Sequence, residues 1–229
     1  MAMSIFYDTY GASKSYATPS LSQKDIAKFD NEVGNPSALK STHRCLEIGC
    51  GTGHFLSYLH NKGVTDLHGI DLDASLANII PESVRDHFEA ADVWDFLKAA
   101  ADMPKYDRIF MFDVFEHFVP EEGHKLLSKI GDILNEDGVI VLKMPNASSP
   151  WGLQYQHGDL THLANYTPDS IRQMAISCQM TCTQCYPHLL GSKSRQWRDR
   201  VTQKILNWIV ATPPEIWEGN FYAVIKKQL

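Results

Sequence analysis

From residue 43 onward, short apolar runs alternate with longer runs in which apolar residues recur every three or four positions. The short runs predict β-strands and the longer runs predict amphipathic helices, because these are the spacings at which side chains share a face. The predicted strands are RCLEIG, DLHGIDL, HFEAAD, YDRIFMFDV and GVIVLKM. The predicted helices are GHFLSYLHNKG, DASLANII, VWDFLKAAADM and PEEGHKLLSKIGDILNEDG. This alternation favours an α/β fold with a parallel sheet and helices on both faces.

The C-terminal part of the chain has a different pattern. TPDSIRQMAIS predicts a helix with Thr167 as its N-cap and Pro168 at its first position. QMTCTQCY and NFYAVIKK predict two further strands, and KSRQWRDRVTQKILNWIV between them predicts a helix, so residues 189–219 form a helical insertion. We interpret residues 1–229 as a single domain, in which residues 1–40 form a cap or lid that is helical around LSQKDIAKFDNEV.

Composition narrows the possible classes of protein. The 229 residues are 44% hydrophobic and 21% charged, as in ordinary globular proteins with a sizeable core. The net charge of −6 argues against a general nucleic-acid or anionic-membrane binder, although it allows a local basic patch. The chain starts without a signal-peptide pattern and has no apolar run long enough to span a bilayer. We therefore expect a cytoplasmic protein without a membrane span and without nucleic acid as a partner.

Three of the five cysteines lie close together, in CQMTCTQC. The spacing of Cys178, Cys182 and Cys185 coincides with that of an iron–sulfur cluster motif. The segment reads as a helix end followed by a strand, which predicts that Cys182 and Cys185 point to opposite faces. This argues against a cluster, and also against a zinc site completed by His188. An odd number of cysteines without other signs of secretion makes a disulfide framework unexpected.

A glycine-rich turn follows the first predicted strand, in CLEIGCGTGHFL. Gly49, Gly51 and Gly53 let the backbone turn sharply and approach a ligand closely, with a helix N-terminus facing it. Glu47 lies two residues before the first glycine. Its charge would repel a dinucleotide pyrophosphate and attract an ammonium or sulfonium group. The loop therefore argues against an NAD-dependent oxidoreductase, the rival enzyme class.

Two more acids end the next predicted strands. GIDLD ends the second strand and places Asp71 about 20 residues after the glycine loop, where an acid accepts hydrogen bonds from ribose hydroxyls. Asp92 ends the third strand and could accept a hydrogen bond from an adenine amino group. An acid, a glycine loop and two further acids at successive strand ends together indicate a pocket for a cationic adenosine ligand.

At these residues the chain resembles the class I S-adenosylmethionine-dependent methyltransferases, from about residue 40 to the C-terminus. The resemblance implies a Rossmann-like sheet of seven mostly parallel strands with an antiparallel last strand, and S-adenosyl-L-methionine as methyl donor. It assigns Glu47, Gly49, Cys50, Gly51 and Gly53 to the methionine part, Asp71 and Leu72 to the ribose, Asp92 and Val93 to the adenine, and Phe112 and Asp113 to the methionine end. Gln179 stands where family members often have glycine, before strand six.

A first candidate for the chemistry follows the fourth strand, in FMFDVFEHF. If this segment is helical, Asp113, Glu116 and His117 share one face and could hold a divalent cation such as Mg²⁺. The stretch resembles the ubiquinone-pathway O-methyltransferases, in which an acid-x-x-Glu-His run binds a metal. The alternative is that Glu116 and His117 fix the loop by hydrogen bonds without a metal.

A second candidate follows the fifth strand, in MPNASSPWGLQYQHGDLTHLANYTPDS. It resembles methyltransferases of bacterial cell-surface sugars and polysaccharides. Hydrogen-bonding groups and aromatic faces suit a polyhydroxylated small-molecule or glycan acceptor. The side chains predicted to line the acceptor site are those of Asn146, Trp151, Tyr155 and His157.

Within the same loop, Asp159 and His162 are predicted to work as a catalytic pair. Histidine titrates near neutrality, so His162 could take the proton of an acceptor hydroxyl during O-methyl transfer while Asp159 orients its ring. His117 is the competing general base. The structural alternative is that Asp159 caps a turn and His162 packs against the fold.

The predicted helix near residue 200 carries apolar residues on one stripe and basic residues largely away from it. It is either a solvated face or an anion site for a phosphorylated or nucleotide-linked acceptor. The prediction is an O-methyltransferase for a small-molecule or glycan acceptor. The alternatives are a methyltransferase for a phenolic or quinone-like acceptor and a non-catalytic S-adenosylmethionine-binding partner protein.

Overall fold

A seven-stranded sheet forms the centre of the molecule in the computed structural model, which describes residues 16–228. The strands are β1 Cys45–Ile48, β2 Leu67–Asp71, β3 Phe88–Ala90, β4 Tyr106–Phe112, β5 Leu134–Pro145, β6 Met180–Pro187 and β7 Asn220–Lys227. Their order is β3-β2-β1-β4-β5-β7-β6. β7 pairs antiparallel with both β5 and β6, whereas the pairs among β1 to β5 are parallel. The predicted Rossmann-like α/β fold is confirmed.

Helices connect the strands as the periodicity predicts. They are α1 Gln23–Phe29, α2 His54–Asn61, α3 Val93–Ala100, α4 Pro120–Asp132, α5 Leu153–Gln156, α6 Pro168–Ser177 and α7 Lys193–Ile209. Shorter 3-10 turns cover Ala74–Asn78, Glu82–His87 and Phe115–His117, and a π turn covers Asp30–Gly34. None of these helices is long and apolar enough to cross a membrane.

The helix predicted in PEEGHKLLSKIGDILNEDG, which we expected to end just before Gly138, is too long by five residues. α4 ends at Asp132 because the buried side chains of Ile133 and Leu134 enter the sheet, where the Tyr106 amide donates to the Ile133 carbonyl at 2.8 Å. β5 therefore already includes Gly138, which we expected beyond the helix end. A register shift between Tyr106 and Arg108 accommodates the extra residues.

The central strands are buried on both faces of the sheet. Ile109 and Met111 of β4 belong to one hydrophobic cluster and Phe110 to the other. In β5, Ile140 and Leu142 alternate with Val141 in the same way. Helices thus cover both faces, which explains why the strand sequences read as continuous apolar runs.

The prediction that Cys182 and Cys185 point to opposite faces is wrong. A bulge between Cys182 and Gln184 interrupts the alternation along β6, and the two sulfur atoms lie 3.5 Å apart. The Cys178 thiol instead lies 3.5 Å from the His124 carbonyl oxygen. Within residues 16–228, no group of three metal-binding side chains includes a cysteine.

Two local expectations concern α6 and the turn after it. Thr167 caps the helix, with its hydroxyl accepting from the Ser170 amide, and Pro168 is its first residue, as predicted. Gln179, in place of the family's glycine, adopts the left-handed conformation with φ of 58°. This conformation costs a non-glycine residue about 1–2 kcal/mol, so the turn keeps its geometry at the expense of strain.

The N-terminal segment is anchored to the fold through Phe29 and Glu32. Phe29 packs at 5.2 Å between ring centroids against Phe55 of α2, which directly follows the glycine loop. Glu32 accepts from the Tyr222 hydroxyl of β7 at 2.9 Å. Residues 1–15 of the predicted cap lie outside the described residues, so the cap or lid stays a prediction.

Candidate active site

The parallel strands β1, β2, β4 and β5 all end at the same edge of the sheet. In folds of this topology, ligands bind in the crevice at the carboxyl ends of the strands. The residues that the sequence singles out follow these ends, so the topology brings them to one edge.

The glycine loop is held tightly against β2. The Gly49 and Cys50 amides both donate to the Ile70 carbonyl, at 2.8 and 3.0 Å. Gly51 has a φ of 52°, a conformation that L side chains rarely adopt, and a Cβ placed on it would meet no atom of residues 16–228 within 4 Å apart from its chain neighbours. The loop therefore exposes bare backbone beside the N-terminus of α2, where a ligand can approach closely.

Asp71 links the loop to the end of β2. Its Oδ2 accepts from the Gly51 amide at 2.8 Å and its Oδ1 accepts from the Asp73 amide at 3.0 Å. Burial raises the pKa of the Asp71 carboxyl despite these hydrogen bonds. Leu72, next to it, is exposed. Asp71 thus fixes the glycine loop and still presents a carboxylate at the predicted ribose position.

Asp92 ends the connection after β3 and caps α3. Its Oδ1 accepts from the Trp94 amide at 2.8 Å, and Val93 is the first helical residue. The side chain is exposed at the same sheet edge. In the predicted role, the Asp92 carboxylate would therefore bind the adenine while it also caps α3.

Glu47 is buried in β1 and Cys50, three residues on, is also buried. Within the described part of the chain, Glu47 Oε2 has no hydrogen-bond partner. Burial raises the pKa of its carboxyl well above the ordinary value, and the nearby Asp71 carboxylate raises it further. A buried acid with one unpartnered oxygen and a second acid nearby fits a cationic ligand, whose charge would compensate the carboxylate.

Asp113 does not join Glu116 and His117. It has a φ of 55° directly after β4, and its Oδ2 lies 2.5 Å from Lys143 Nζ of β5. Phe112 before it packs against Phe55 of α2. The predicted metal set of Asp113, Glu116 and His117 is thus not assembled, because the chain turns sharply at Asp113 instead of continuing as a helix.

A different set converges beside this turn. Ligand atoms of Glu116, His117 and His162 lie within 4.8 Å of one another. The two imidazole rings pack edge to face with their centroids 4.7 Å apart, and Glu116 Oε1 is 3.8 Å from His162 Nε2. Glu116 is buried and neither carboxylate oxygen has a hydrogen-bond partner among residues 16–228. Burial raises the pKa of the Glu116 carboxyl to about 8, with a further contribution from Asp113.

Backbone carbonyls define the tautomer of both histidines. His162 Nδ1 lies 3.1 Å from the Gln156 carbonyl, and His117 Nδ1 lies 3.1 Å from the Thr161 carbonyl. A carbonyl only accepts, so each Nδ1 carries a proton and Nε2 is the nitrogen that is basic in the neutral ring. The Nε2 of His162 is the one that faces Glu116 and Asp159.

Asp159 was predicted to orient the His162 ring, but it does not hydrogen-bond to that ring. The Asp159 carboxylate accepts from the Thr161 amide at 2.9 Å and the Thr161 hydroxyl at 2.5 Å, whereas its Oδ2 is 4.0 Å from His162 Nε2. Burial raises the pKa of Asp159, but the hydrogen bonds from Thr161 together hold that pKa below its ordinary value. Asp159 therefore stays charged near His162 Nε2, while the Gln156 carbonyl orients the ring.

The predicted acceptor residues separate into three environments. Asn146 is fully buried, with its amide nitrogen donating to the Ile216 and Glu218 carbonyls, and so holds the loop in place. His157 is exposed. Trp151 and Tyr155 line a cavity of about 600 Å³ between this loop and α7.

The sequence analysis did not assign several residues at this edge to the catalytic or acceptor site. His188 lines the same cavity, and burial lowers the pKa of its imidazole to about 3, so it is neutral. The Tyr16 hydroxyl has a raised pKa through burial and through the charges of Asp71 and Asp159, which places it near both halves of the site. Gln156 and Thr161 orient the histidines through main-chain carbonyls, which carry no sequence signal.

Comparison with known proteins identifies relatives. The model of a methyltransferase domain family matches residues 22–183. A structure of an S-adenosylmethionine-dependent methyltransferase from Archaeoglobus fulgidus has a TM-score of 0.67 at 19% identity, covering 97% of this chain and 100% of that one. Another from Clostridium acetobutylicum has a TM-score of 0.61 at 12% identity, covering 97% and 96%. Magnesium protoporphyrin IX methyltransferase from Synechocystis, with bound S-adenosylmethionine, has a TM-score of 0.56 at 14% identity, covering 98% and 92%. No curated protein sequence matches.

We expect Glu47→Gln to stabilise the ligand-free protein above pH 7 and to weaken cofactor binding. The folded-state pKa of Glu47 lies above its unfolded value, so the free energy of unfolding falls as the pH rises through that interval. The neutral amide removes this penalty, which is on the order of 1–3 kcal/mol. Thermal unfolding between pH 5 and 8 measures the first effect, and calorimetry of S-adenosylhomocysteine measures the second.

Glu136→Gln is the matched control, because Glu136 is an exposed carboxylate at the opposite end of the sheet, paired with Lys227. Its unfolding temperature should follow that of the wild type. If Glu47→Gln also follows the wild type at every pH and binds the cofactor product normally, Glu47 has no electrostatic role.

Proposed function

The chain belongs to the methyltransferase domain family and is an S-adenosylmethionine-dependent methyltransferase, and we propose that it methylates a hydroxyl group of a small-molecule or glycan acceptor with histidine as the general base. The observation that carries the proposal is the position of His162. Its Nδ1 is fixed by a carbonyl, and its Nε2 lies 3.8 Å from Glu116 Oε1, just after β4, at the sheet edge where we propose the cofactor residues.

The cofactor would be held by the chain's own groups along the strand ends. Glu47 would compensate its cationic end, Gly49, Gly51 and Gly53 would let it approach the backbone closely, and Asp71 would accept from the ribose hydroxyls. The residues beyond these that we propose for the same site are Cys50, Leu72, Asp92, Val93, Phe112 and Asp113. When bound, S-adenosylmethionine supplies a methyl group on a sulfonium, whose sulfur keeps the electron pair of the broken bond.

His162 would take the proton of the acceptor hydroxyl on Nε2 as that oxygen forms its bond to the methyl group. The charged Asp159, 4.0 Å from this nitrogen, would stabilise the imidazolium that results. His117 packs against the His162 ring and would restrict its movement. The Gln156 carbonyl keeps Nδ1 protonated throughout, so only one nitrogen takes part.

The acceptor would occupy the cavity beside α5. Tyr155 precedes Gln156, the residue whose carbonyl holds His162, so the cavity wall and the base belong to one short segment. Aromatic faces and side-chain amides of Gln154, Gln196 and Gln203 line the cavity together with Arg195. Such a lining suits a polyhydroxylated acceptor, and Arg195 suits one that carries a phosphate. A phenolic or quinone-like acceptor is the alternative.

A second candidate role for the histidine cluster is to hold a cation. The unpartnered oxygens of Glu116 favour it, as do the two Nδ1–H···O=C bonds, which are the usual outer contacts of metal-bound histidine. Two imidazoles and one carboxylate suit Zn²⁺, Mn²⁺ or Fe²⁺ better than Mg²⁺, which prefers oxygen. A cation bound to His162 Nε2 would occupy the lone pair that a general base needs, so the two roles exclude each other.

Cofactor binding should depend on Asp71. Asp71→Ala removes charge-assisted hydrogen bonds to the ribose and releases the Gly51 amide, at a cost of roughly 1.5–3 kcal/mol per bond. Calorimetry with S-adenosylhomocysteine should show binding at least about tenfold weaker. The control is Asp66→Ala, which changes an exposed acid before the same strand and should bind normally. Unchanged affinity in folded Asp71→Ala would remove Asp71 from the site.

Turnover should distinguish the two histidines. His162→Ala is expected to lose on the order of 10²–10⁴-fold in kcat, whereas S-adenosylhomocysteine affinity stays within about twofold of the wild type. The assay follows labelled methyl transfer onto fractionated acceptors, including sugars and phenols. His60→Ala, an exposed histidine on α2, serves as the control. Near-normal turnover in His162→Ala with an inactive His117→Ala would move the base to His117.

Chelation decides between the base and the cation. If His162 is the base, exhaustive treatment with a chelator should leave kcat unchanged within about twofold. If the cluster holds a required cation, turnover should disappear, return with Zn²⁺ or Mn²⁺ at stoichiometric amounts, and fail to return in Glu116→Gln. Metal analysis of the purified protein gives a readout that is independent of turnover.

A further inference from the structure

Helix α7 is oriented with its apolar side toward solvent. The residues that face the fold are Gln196, Asp199, Gln203 and Leu206, which are partly covered and line the cavity. The opposite stripe carries Trp197, Val201, Ile205 and Trp208, with exposed fractions of 65%, 39%, 53% and 87%. A helix on a globular protein normally has the reverse arrangement, with its apolar stripe toward the core.

Few contacts hold this helix to the fold, and no residue of α7 is buried. Gln203 donates to the Glu218 carboxylate at 2.9 Å, and Asn207 accepts from the Trp217 indole at 2.7 Å. These polar bonds fix the rotation of α7 about its axis. The outward apolar stripe is therefore a defined surface and not one of several orientations.

Basic residues flank the apolar stripe on both sides. At 100° per residue, Lys193, Arg200 and Lys204 lie on one side of it and Arg198 lies on the other. α7 carries five of the chain's 21 lysine and arginine residues but one of its 27 acids, so the helix is strongly positive on a protein with net charge −6. The positive charge is thus concentrated where the apolar side chains are exposed.

A second copy of the chain fits this surface poorly. Two α7 helices packed stripe to stripe would bring their flanking lysines and arginines together, and like charges in contact repel. A layer with negative charge at its surface and apolar material below it matches both parts of the stripe. Tryptophan at the headgroup level with lysine and arginine beside it is the composition of helices that lie in a bilayer interface.

We propose that α7 docks the protein on an anionic lipid bilayer, with Trp197, Ile205 and Trp208 inserted at the interface and the flanking basic side chains on lipid phosphates. The helix lies in the plane of the interface and does not span it. The cavity wall formed by its other face then sits directly above the lipid headgroups. This surface is independent of the catalytic proposal, so its test does not use turnover.

The test is sedimentation of the full chain with vesicles of equal parts phosphatidylglycerol and phosphatidylcholine, with pure phosphatidylcholine vesicles in parallel. Binding is expected to the anionic vesicles, at least about tenfold stronger than to the neutral ones, and to weaken in high salt. Trp208→Glu and the pair Arg200→Glu with Lys204→Glu should each lower the partition coefficient at least about tenfold. Ile176→Glu, which changes an exposed apolar residue on α6 by the same charge, should bind like the wild type.

Three outcomes would overturn the proposal. The first is no sedimentation with anionic vesicles, and the second is binding that Trp208→Glu leaves intact. The third is a dimer in light scattering that Trp208→Glu dissociates, because it would assign the stripe to a second copy. Thermal unfolding of each variant shows that a loss of binding reflects the surface and not the fold.

Discussion

Three carboxylates without a matching positive charge set the conditions for the rest of this site, two of them buried and Asp71 partly buried. Glu47, Asp71 and Glu116 lie in or just after strands β1, β2 and β4, and burial raises the pKa of each. Protein interiors stabilise an isolated charge poorly, so such groups are retained where a ligand or a proton completes them. Asp71 is partly compensated by the Gly51 and Asp73 amides, whereas Glu47 Oε2 and both oxygens of Glu116 are unpartnered among the described residues. The sheet edge is therefore a place where positive charge binds favourably.

The loop after β5 lies at the same sheet edge, and its many polar residues hold one another in place by hydrogen bonds. Asn146 and Ser149 bind the 216–218 segment through their side chains, which fixes the start of the loop. The main chain then delivers the Gln156 and Thr161 carbonyls to the two imidazoles. One turn thus holds both the charged Asp159 carboxylate and the His162 ring with its Nδ1 proton on a carbonyl. The loop acts as a rigid holder for its histidine, not as a flexible polar connection.

The sequence predicts the fold well and the site in part, for physical reasons that differ. Strand ends and the glycine loop are set by local periodicity and by backbone turns, so the positions of Glu47, Asp71 and Asp92 follow from the pattern once the sheet is parallel. The grouping around Glu116 does not follow, because it depends on the left-handed turn at Asp113, which directs that acid to Lys143 and brings in His162 from a loop 46 residues away. The faces of Cys182 and Cys185 were mispredicted for a similar reason, since one bulge residue reverses the alternation.

For helix α7, the sequence predicts the helix and its apolar stripe but not the direction in which the stripe points. Its apolar stripe is visible in the sequence, and the helix forms where the pattern predicts it, over Lys193–Ile209. Periodicity states that one face is apolar but not which way that face is turned. The direction is set by Gln203 and Asn207, whose bonds to Glu218 and the Trp217 indole require the polar face to point inward. With that face fixed, exposing Trp197 and Trp208 costs roughly 25 cal/mol for each Å² of apolar surface left in water. Apolar material over the stripe would recover that cost, and the cations on both sides favour a cover with negative charge at its surface.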